Sequence, residues 1–312
     1  MSFEDRSGSG SGTGSGSGSR SGSASGEDVR RQLLASAPIP ERRLELAGVS
    51  TPILEGGDGP PVVLLHGPGA YGSGWLPVVP ELIRSYRVIA PDLPGHGASV
   101  LTGDGLDASR VLGWLGELLE QTCNEPPVLV GHLIGGAIAA RFAADQGHVV
   151  SRLVLVTPMG LAPFEPTPEF GAVMTGYFAQ PTEDTHDQLW RVCVRDLDGL
   201  RQKLGETWEI LKRYNLDRAR APAVAAAQQA LFAEFGMPAI PAADLARIAV
   251  PTRLIWGRHD TIVRLAIGEA ASRRYGWPLR VLETGNEPAM EAPEAFLRSA
   301  FEAPTSDTRE QG

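Results

Sequence analysis

The chain has 312 residues, of which 42% are hydrophobic and 21% are charged, the balance of a globular protein with a sizeable core. Its formal net charge of −9 argues against nucleic acid or an anionic membrane as a partner, because both require clustered basic side chains. No apolar run approaches the ~20 residues of a membrane span, and the N-terminus lacks a basic-then-apolar signal pattern. We therefore expect a cytoplasmic protein.

Residues that commonly bind metals or form disulfides follow no binding pattern. Cys123 and Cys193 fall in different predicted elements and form no C-x-x-C motif, so reduced thiols are the simplest interpretation. The six histidines show no H-E-x-x-H spacing, and no G-x-G-x-x-G loop follows the first buried strand. We expect no metal ion and no cofactor.

Composition predicts a tail at each end of the chain. Within residues 1–26, the stretch Ser7–Gly26 is almost entirely glycine and serine, which cannot bury apolar surface and should form a flexible coil. Residues 304–312 are polar and are predicted to form a frayed C-terminal tail.

Between the tails, short apolar strands alternate with helical stretches. In chain order the predicted strands are Arg43–Leu46, Thr51–Leu54, Val62–Leu65, Tyr86–Ala90, Val128–Val130, Leu153–Val156, Thr252–Trp256 and Leu279–Leu282. The first two resemble an antiparallel pair. The continuous Val, Leu and Ile runs that follow predict an α/β fold, with a mostly parallel sheet covered by helices on both faces.

One long segment, residues 160–246, interrupts this alternation. It contains no strand pattern, and its clearest amphipathic helical runs are Thr185–Leu197, Asp198–Tyr214 and Ala221–Phe235. Helices inserted between two strands indicate a cap over the strand ends, where open α/β sheets bind ligands. The alternative is a helical block that serves packing alone. If residues 160–246 form a cap, residues 27–159 and 247–303 form the α/β core.

The run from Pro127 to Ala137 is a buried strand, a glycine-lined turn and a helix. This is the layout of the G-x-S-x-G turn that presents a nucleophilic serine, a turn known as the nucleophile elbow. Here it reads Gly131-His-Leu-Ile-Gly135, so Leu133 occupies the position of the serine.

Four further motifs accompany this elbow, so that the series in chain order is Leu65–Gly69, Ala90–Ser99, Gly131–Gly136, Trp256–Asp260 and Gly285–Phe296. With these five motifs in order, the chain resembles the α/β-hydrolase superfamily over about residues 40–302. The loop from His66 to Trp75 and the segment Thr157–Leu161 are similar to those of the capped branch that includes meta-cleavage-product hydrolases, which break carbon–carbon bonds. The resemblance implies an eight-stranded type of sheet and an inserted helical cap. It also implies a homodimer as one oligomeric state.

The resemblance places the catalytic triad at Leu133, Asp260 and Asn286, where the family has nucleophile, acid and histidine. Leu133 has no hydroxyl, and Asn286 has no lone pair of useful basicity. Losing the nucleophile or base of such a triad costs about six orders of magnitude in turnover. A serine-hydrolase mechanism is therefore not expected.

Other parts of the family's site remain. The backbone N–H of Ile134 and one from Gly69 or Ala70 could form the oxyanion hole, since Pro68 has no N–H. The predicted substrate-binding side chains are Tyr71, His132, Thr157 and Trp190. Because the flanking glycines keep the turn crowded, Leu133 should retain a strained positive φ and form an apolar pocket floor.

The acid position admits two interpretations. Asp260 could act as a base itself if burial raises its pKa, or it could form a structural pair with the amide of Asn286. Glu287 is interpreted as an exposed charge at the rim. His66 is interpreted as bracing its loop, His132 as structural and His259 as a surface residue.

Three functions follow. The first is an enzyme without covalent catalysis, performing a lyase, isomerase or cyclisation step on a small apolar carbonyl compound. The second is a pseudoenzyme that binds a ligand or a protein partner. The third is a hydrolase in which Asp260 activates water. An enclosed cavity in which Asp260 is desolvated would favour chemistry, whereas a collapsed cavity, or an exposed apolar patch of more than about 400 Å², would favour binding.

Overall fold

A computed structural model describes residues 26–35, 37–103 and 105–302. The predicted tails, apart from Gly26, lie outside the described residues. The strands in the described part are β1 (Glu41–Leu46), β2 (Val49–Gly56), β3 (Pro61–Leu65), β4 (Arg87–Pro91), β5 (Val100–Leu101), β6 (Val128–His132), β7 (Arg152–Val156), β8 (Thr252–Gly257) and β9 (Leu279–Leu282). All nine belong to one sheet. Eight match predicted strands, and the two-residue β5 was not predicted.

The sheet runs in the order β1-β2-β4-β3-β6-β7-β8-β9, with β5 beside β2. The β1–β2 pair is antiparallel, as predicted, and so are the contacts of β2 with β4 and β5. The remaining neighbours pair in parallel. Leu65 pairs with Gly131, and His132 pairs with Val156, so three adjacent strands end at the same edge. The residues that follow them therefore meet there.

Helices cover both faces of the sheet and divide the core in two. Successive side chains along a strand point to opposite faces. Leu129 accordingly packs with the helices α3 (Ala108–Thr122), α4 (Ile134–Gln146) and α11 (Leu265–Tyr275), whereas Val128 and Val130 pack with α2 (Val79–Leu82) and α13 (Pro293–Phe301). The α/β-hydrolase architecture predicted from the sequence is thus confirmed.

Only helices and turns occur between β7 and β8 in the described chain. They are α5 (Pro168–Ala179), α6 (Glu183–Cys193), α7 (Leu197–Leu204), α8 (Glu206–Ala219), α9 (Pro222–Leu231), a π-helical turn at Phe232–Gly236 and α10 (Ala242–Ala246). We call this segment the helical insertion. The predicted single helix Asp198–Tyr214 is wrong, because Gly205 adopts φ 53° and separates α7 from α8. Helix α5 was not predicted.

Helix α1 (Gly26–Leu34) was not predicted either. Its residue Arg30 is buried, forms ion pairs with Glu41 and Asp92, and donates a hydrogen bond to the Tyr214 hydroxyl at 2.9 Å. Arg30 therefore links α1 and a loop of the sheet to helix α8 of the insertion. The last short helix is α12 (Pro288–Glu291), which follows β9. No described helix has both the length and the apolar character needed to cross a membrane.

Candidate active site

The turn between β6 and α4 has the geometry of a nucleophile elbow. Leu133 adopts φ 47° and ψ −111°, which confirms the predicted positive φ. A Cβ atom at Gly131 would lie 2.4 Å from the Gly135 carbonyl oxygen, and one at Gly135 would lie 2.6 Å from the His66 carbonyl oxygen. Only glycine fits either position. A non-glycine residue at positive φ costs about 1–2 kcal/mol, so the fold keeps a strained turn without the serine that it usually presents.

A cavity of about 160 Å³ lies between this turn and the helical insertion. Its wall is mostly apolar, and Leu133 lines it, in agreement with the predicted pocket floor. The predicted site residues that line the cavity are Gly69, Ala70, Tyr71, His132, Leu133, Trp190 and Asn286. Three other predicted residues, Ile134, Thr157 and Asp260, are buried but do not line it.

Asp260 and Asn286 form a buried pair next to the cavity. The Asp260 Oδ1 atom accepts hydrogen bonds from the backbone N–H groups of Ile262 and Val263 at 2.8 and 2.9 Å. Its Oδ2 atom accepts one from Asn286 Nδ2 at 2.8 Å. Burial nevertheless raises the pKa of Asp260 to about 6. Asn286 lines the cavity and Asp260 does not, so the amide occupies the side from which a substrate would reach the carboxylate.

Thr157 completes this buried polar group. It follows β7, has φ 38°, and its Oγ1 atom lies 3.4 Å from Asn286 Nδ2. The Asn286 Oδ1 atom is buried without a hydrogen-bond partner among the described residues. Thr157 thus positions the amide of Asn286 and does not touch the cavity.

His132 and Glu287 form a second polar pair, and both line the cavity. His132 Nε2 lies 2.8 Å from the Asn286 carbonyl oxygen, and His132 Nδ1 lies 4.0 Å from Glu287 Oε2. Burial lowers the pKa of His132 to about 4 and raises the pKa of Glu287 to about 8. The interpretation of Glu287 as an exposed rim charge is wrong, because its side chain is only 26% exposed and faces the cavity.

The two candidate oxyanion-hole loops meet beside Leu133. Ile134 is the first residue of α4, where backbone N–H groups have no partner within the helix. The Ala70 N–H donates to the Gly67 carbonyl oxygen at 3.3 Å, which leaves Gly69, at φ 70°, as the candidate in the second loop. His66 braces this loop as predicted. Its Nε2 atom accepts from the Leu93 N–H, and its Nδ1 atom donates to the Gly67 carbonyl oxygen.

A chain of hydrogen bonds borders the cavity on the side of the helical insertion. The Tyr71 hydroxyl donates to Asn215 Oδ1 at 2.8 Å, and Asn215 Nδ2 donates to His186 Nε2 at 3.1 Å. Burial raises the pKa of Tyr71 well above its usual range, so its hydroxyl stays protonated. Trp190 packs edge-on against Trp208 in the same wall, with ring centroids 5.0 Å apart. This chain joins the core loop to α8 and α6.

Sequence reasoning missed several polar residues of the cavity. Asn215, Arg218 and Gln228 line it from the insertion, and Glu287 lines it from the turn before α12. Glu287 could have been suspected, because it directly follows the histidine position of the triad motif. His259 is exposed, as predicted. Among the described residues, no cluster of three or more His, Cys, Asp or Glu side chains could hold a metal ion.

Residues 62–299 match the alpha/beta hydrolase family, and the chain belongs to that family. It is similar to 2-hydroxy-6-oxononadienedioate/2-hydroxy-6-oxononatrienedioate hydrolase 2 of Pseudomonas putida, with 31% identity over 222 residues, 66% of this chain and 73% of the relative. It is also 31% identical over 223 residues, 70% of its length, to the dihydrolipoyllysine-residue acetyltransferase component of the acetoin cleaving system of Cupriavidus necator. The match spans only 56% of that relative.

A solved structure with a similar fold is that of 2-hydroxy-6-oxo-6-phenylhexa-2,4-dienoate hydrolase from Rhodococcus sp.. The two chains superpose with a TM-score of 0.71 and 27% identity, covering 83% of this chain and 95% of the other. Two of these three relatives are hydrolases by name, and the third is an acetyltransferase component. The assignment of Leu133 and Asn286 to the nucleophile and histidine positions stays a prediction from the sequence motifs.

Proposed function

We propose that the chain is an enzyme that acts on a small apolar carbonyl compound without forming a covalent intermediate. The observation that carries the proposal is the retained elbow: Leu133 keeps the strained φ of 47° and lines an open cavity. A turn that no longer held a reactive site could relax by about 1–2 kcal/mol. In the proposal the helical insertion, residues 160–246, acts as a cap that excludes water from this cavity.

The residues that line the cavity are suited to binding a carbonyl compound. Apolar side chains such as Leu133, Met159 and Phe170 would cover a hydrocarbon or aromatic body. The backbone N–H groups of Ile134 and Gly69 would bind its oxygen, as oxyanion-hole donors do. The names of the hydrolase relatives also describe compounds with an oxo group on an unsaturated chain that carries one or two carboxylates.

The alternatives have weaker support. A water molecule activated by Asp260 would need access to that carboxylate, yet both of its oxygens accept hydrogen bonds and it does not line the cavity. A binding protein without activity would not need titratable groups in its pocket. His132 and Glu287 both line this one with shifted pKa values, which is common in catalytic sites. Asp260 with Asn286 is in this proposal a structural pair.

The test begins with identifying, by mass spectrometry, any compound retained by the purified protein. That compound, together with a panel of alkyl and aryl ketones and 1,3-diketones, is then incubated with the protein in ¹⁸O-labelled water. The proposal expects conversion in which no product carries the additional oxygen that hydrolysis would introduce, once spontaneous carbonyl exchange is subtracted. A product formed by enzymatic addition of labelled water would contradict it and would favour the hydrolase alternative.

Two variants at one position provide the matched control. Leu133→Trp should fill the cavity and abolish binding, whereas Leu133→Met nearly conserves the side-chain volume and should retain it. Both residues bear the same positive φ, so the backbone strain is held constant. Equal binding by the two variants would place the ligand outside this cavity.

A further inference from the structure

His132 and Glu287 are titratable side chains that line the cavity together with Leu133, and the family's triad does not include them. The two side chains come from different parts of the chain. His132 directly precedes Leu133, and Glu287 lies in the turn before α12. What the pair can do depends on which atoms carry protons.

The hydrogen bonds of His132 fix its tautomer. The Asn286 carbonyl oxygen can only accept a hydrogen bond, so His132 Nε2, at 2.8 Å from it, carries the proton. The Nδ1 atom then presents a lone pair to the cavity. Gly67 keeps this atom accessible, because a Cβ atom at position 67 would lie 3.1 Å from Nδ1. Burial lowers the pKa of His132 to about 4, so the ring is a neutral acceptor near pH 7.

Glu287 offers the complementary group. Burial alone raises its pKa to about 8, so the carboxyl group carries a proton near pH 7. Arg218 also lines the cavity, but it is paired with Asp217, and no positive charge offsets the effect of burial on the pKa of Glu287. Cys193 is a neutral thiol because burial raises its pKa, Glu291 and Asp260 are acids with raised pKa values, and His66 has a pKa well below its usual value.

The spacing suits an atom placed between the two groups. Glu287 Oε2 lies 4.0 Å from His132 Nδ1, which is too long for a direct hydrogen bond. A ligand atom, or a water molecule, could therefore contact both. A proton donor and a proton acceptor would then face the same part of the ligand in the cavity that Leu133 also lines.

We propose that Glu287 and His132 are the acid and the base of an enol–keto isomerisation of a 1,3-dicarbonyl compound in this cavity. The inference rests on the proposed function and names its reaction and its catalytic residues. The enol O–H bond breaks as its proton moves to His132 Nδ1, and the C=C electron pair takes the Glu287 carboxyl proton at carbon. The product is the keto form. The proton then returns from His132 to Glu287 through a solvent water molecule that enters the 4.0 Å gap between them, and this transfer restores both groups without any further reactant.

Benzoylacetone is the probe for the test, since its enol absorbs strongly and its conversion to the keto form after dilution into water is followed directly. The wild-type protein should accelerate this conversion. Glu287→Gln and His132→Gln should each lose roughly 100-fold or more of the acceleration, the usual contribution of a general acid or base. The dissociation constant of benzoylacetone should change less than threefold, because both replacements are close in shape. A merely structural role would instead change binding.

The pH dependence adds a readout that a structural role would not move. The rate should be highest between the two pKa values of the pair, which lie at about 4 and about 8. It should fall above the upper value, as Glu287 loses its proton, and that limb should disappear in Glu287→Gln. The matched control is Glu283→Gln, because Glu283 is exposed and lies four residues earlier on the same segment. It should behave as the wild type does.

Each outcome decides between the claims. Acceleration that survives in Glu287→Gln and His132→Gln, but is lost in Leu133→Trp, would overturn the pair and leave the proposed function standing. Binding of benzoylacetone without acceleration would also overturn the pair, while conversion of another carbonyl compound would still support the proposed function. If no carbonyl compound binds, both proposals fail.

Discussion

The cavity has two walls of different construction. The wall at the strand ends rests on the sheet and contains the elbow, His132, Asn286 and Glu287. Hydrogen bonds hold the side chains of His132 and Asn286. The wall from the helical insertion is formed by aromatic and apolar side chains, with a hydrogen-bonded chain through Asn215. Rigid backbone thus supports the groups proposed for chemistry, and the helices supply surface that would select the ligand.

The largest difference in stability between the two walls should appear when a methyl group is added to one glycine in each, Gly135 at the strand ends and Gly171 in the helical insertion. Gly135→Ala places a Cβ atom 2.6 Å from the carbonyl oxygens of both His66 and Leu65, and these are backbone atoms that cannot move aside as a flexible side chain would. We expect a loss of roughly 3 kcal/mol or more in the free energy of unfolding, measured by urea denaturation. A loss below 1 kcal/mol would show that the elbow is less constrained than its geometry indicates.

The pH dependence of stability tests the protonation state assigned to the strand-end wall. Glu287 has a pKa raised from 4.5 to about 8, so between these values the folded state binds more protons than the unfolded state. Its contribution to stability is therefore present below pH 4.5 and is lost as pH rises toward about 8. Glu287→Gln should become more stable relative to the wild type as pH rises from 5 to 8.

The pKa of His132 is shifted in the opposite direction, so its contribution to stability has the opposite pH dependence and would obscure the effect of Glu287 if only the wild type were measured. Its pKa is lowered to about 4, so its contribution is lost as pH falls below its ordinary value of 6.5. The comparison of the two proteins by urea unfolding at several pH values removes the His132 contribution. A difference that is constant from pH 5 to 8 would refute the raised pKa of Glu287.

A smaller effect is expected where the two walls are joined. Tyr71→Phe removes the hydroxyl that donates to Asn215 Oδ1 at 2.8 Å, which should cost about 1 kcal/mol in the free energy of unfolding. Tyr177→Phe is the matched control, because its hydroxyl donates to the Asn215 carbonyl oxygen over a longer 3.3 Å. If Tyr177→Phe costs more, the Tyr71 bond is not the main link between the walls.

The smallest effect should have the opposite sign and lie in the insertion. Gly171 is inside helix α5, and an added Cβ atom would meet nothing within 4 Å. Gly171→Ala should therefore raise the free energy of unfolding by about 0.5–1 kcal/mol, because alanine favours the helix. If Gly171→Ala destabilises the protein as Gly135→Ala does, the insertion is as tightly constrained as the strand-end wall, which would contradict the difference proposed between the two walls.

The same contrast explains which features could be read from the sequence. Continuous apolar runs predicted the sheet, because strands buried on both faces need such residues along their whole length. The elbow and the triad positions followed from local motifs in a fixed order. The helices of the insertion were harder to predict from the sequence. The break at Gly205 and helix α5 depend on packing, because amphipathic patterns do not mark where one helix ends and the next begins.

Two features of the site depend on contacts between distant segments and could not be predicted. Glu287 is half-buried because α6 and the turn before α12 meet around it, and Cys193 of α6 accepts a hydrogen bond from the Asn286 N–H through its carbonyl oxygen. Asp260 forms the hydrogen bond with the amide of Asn286 that one of the two sequence interpretations expected, but the sequence could not indicate that Asn286 lies between this carboxylate and the cavity. The proposed catalytic groups are therefore His132 and Glu287 and not Asp260.

The most direct test of the account is the pH–rate profile for benzoylacetone isomerisation by the wild type and by Glu287→Gln. The account predicts a wild-type rate that is highest between about pH 4 and 8 and falls as Glu287 ionises, and a variant rate that is roughly 100-fold lower without the upper limb. Identical profiles for the two proteins would contradict the claim that this elbow, with Leu133 at its tip, now serves proton transfer.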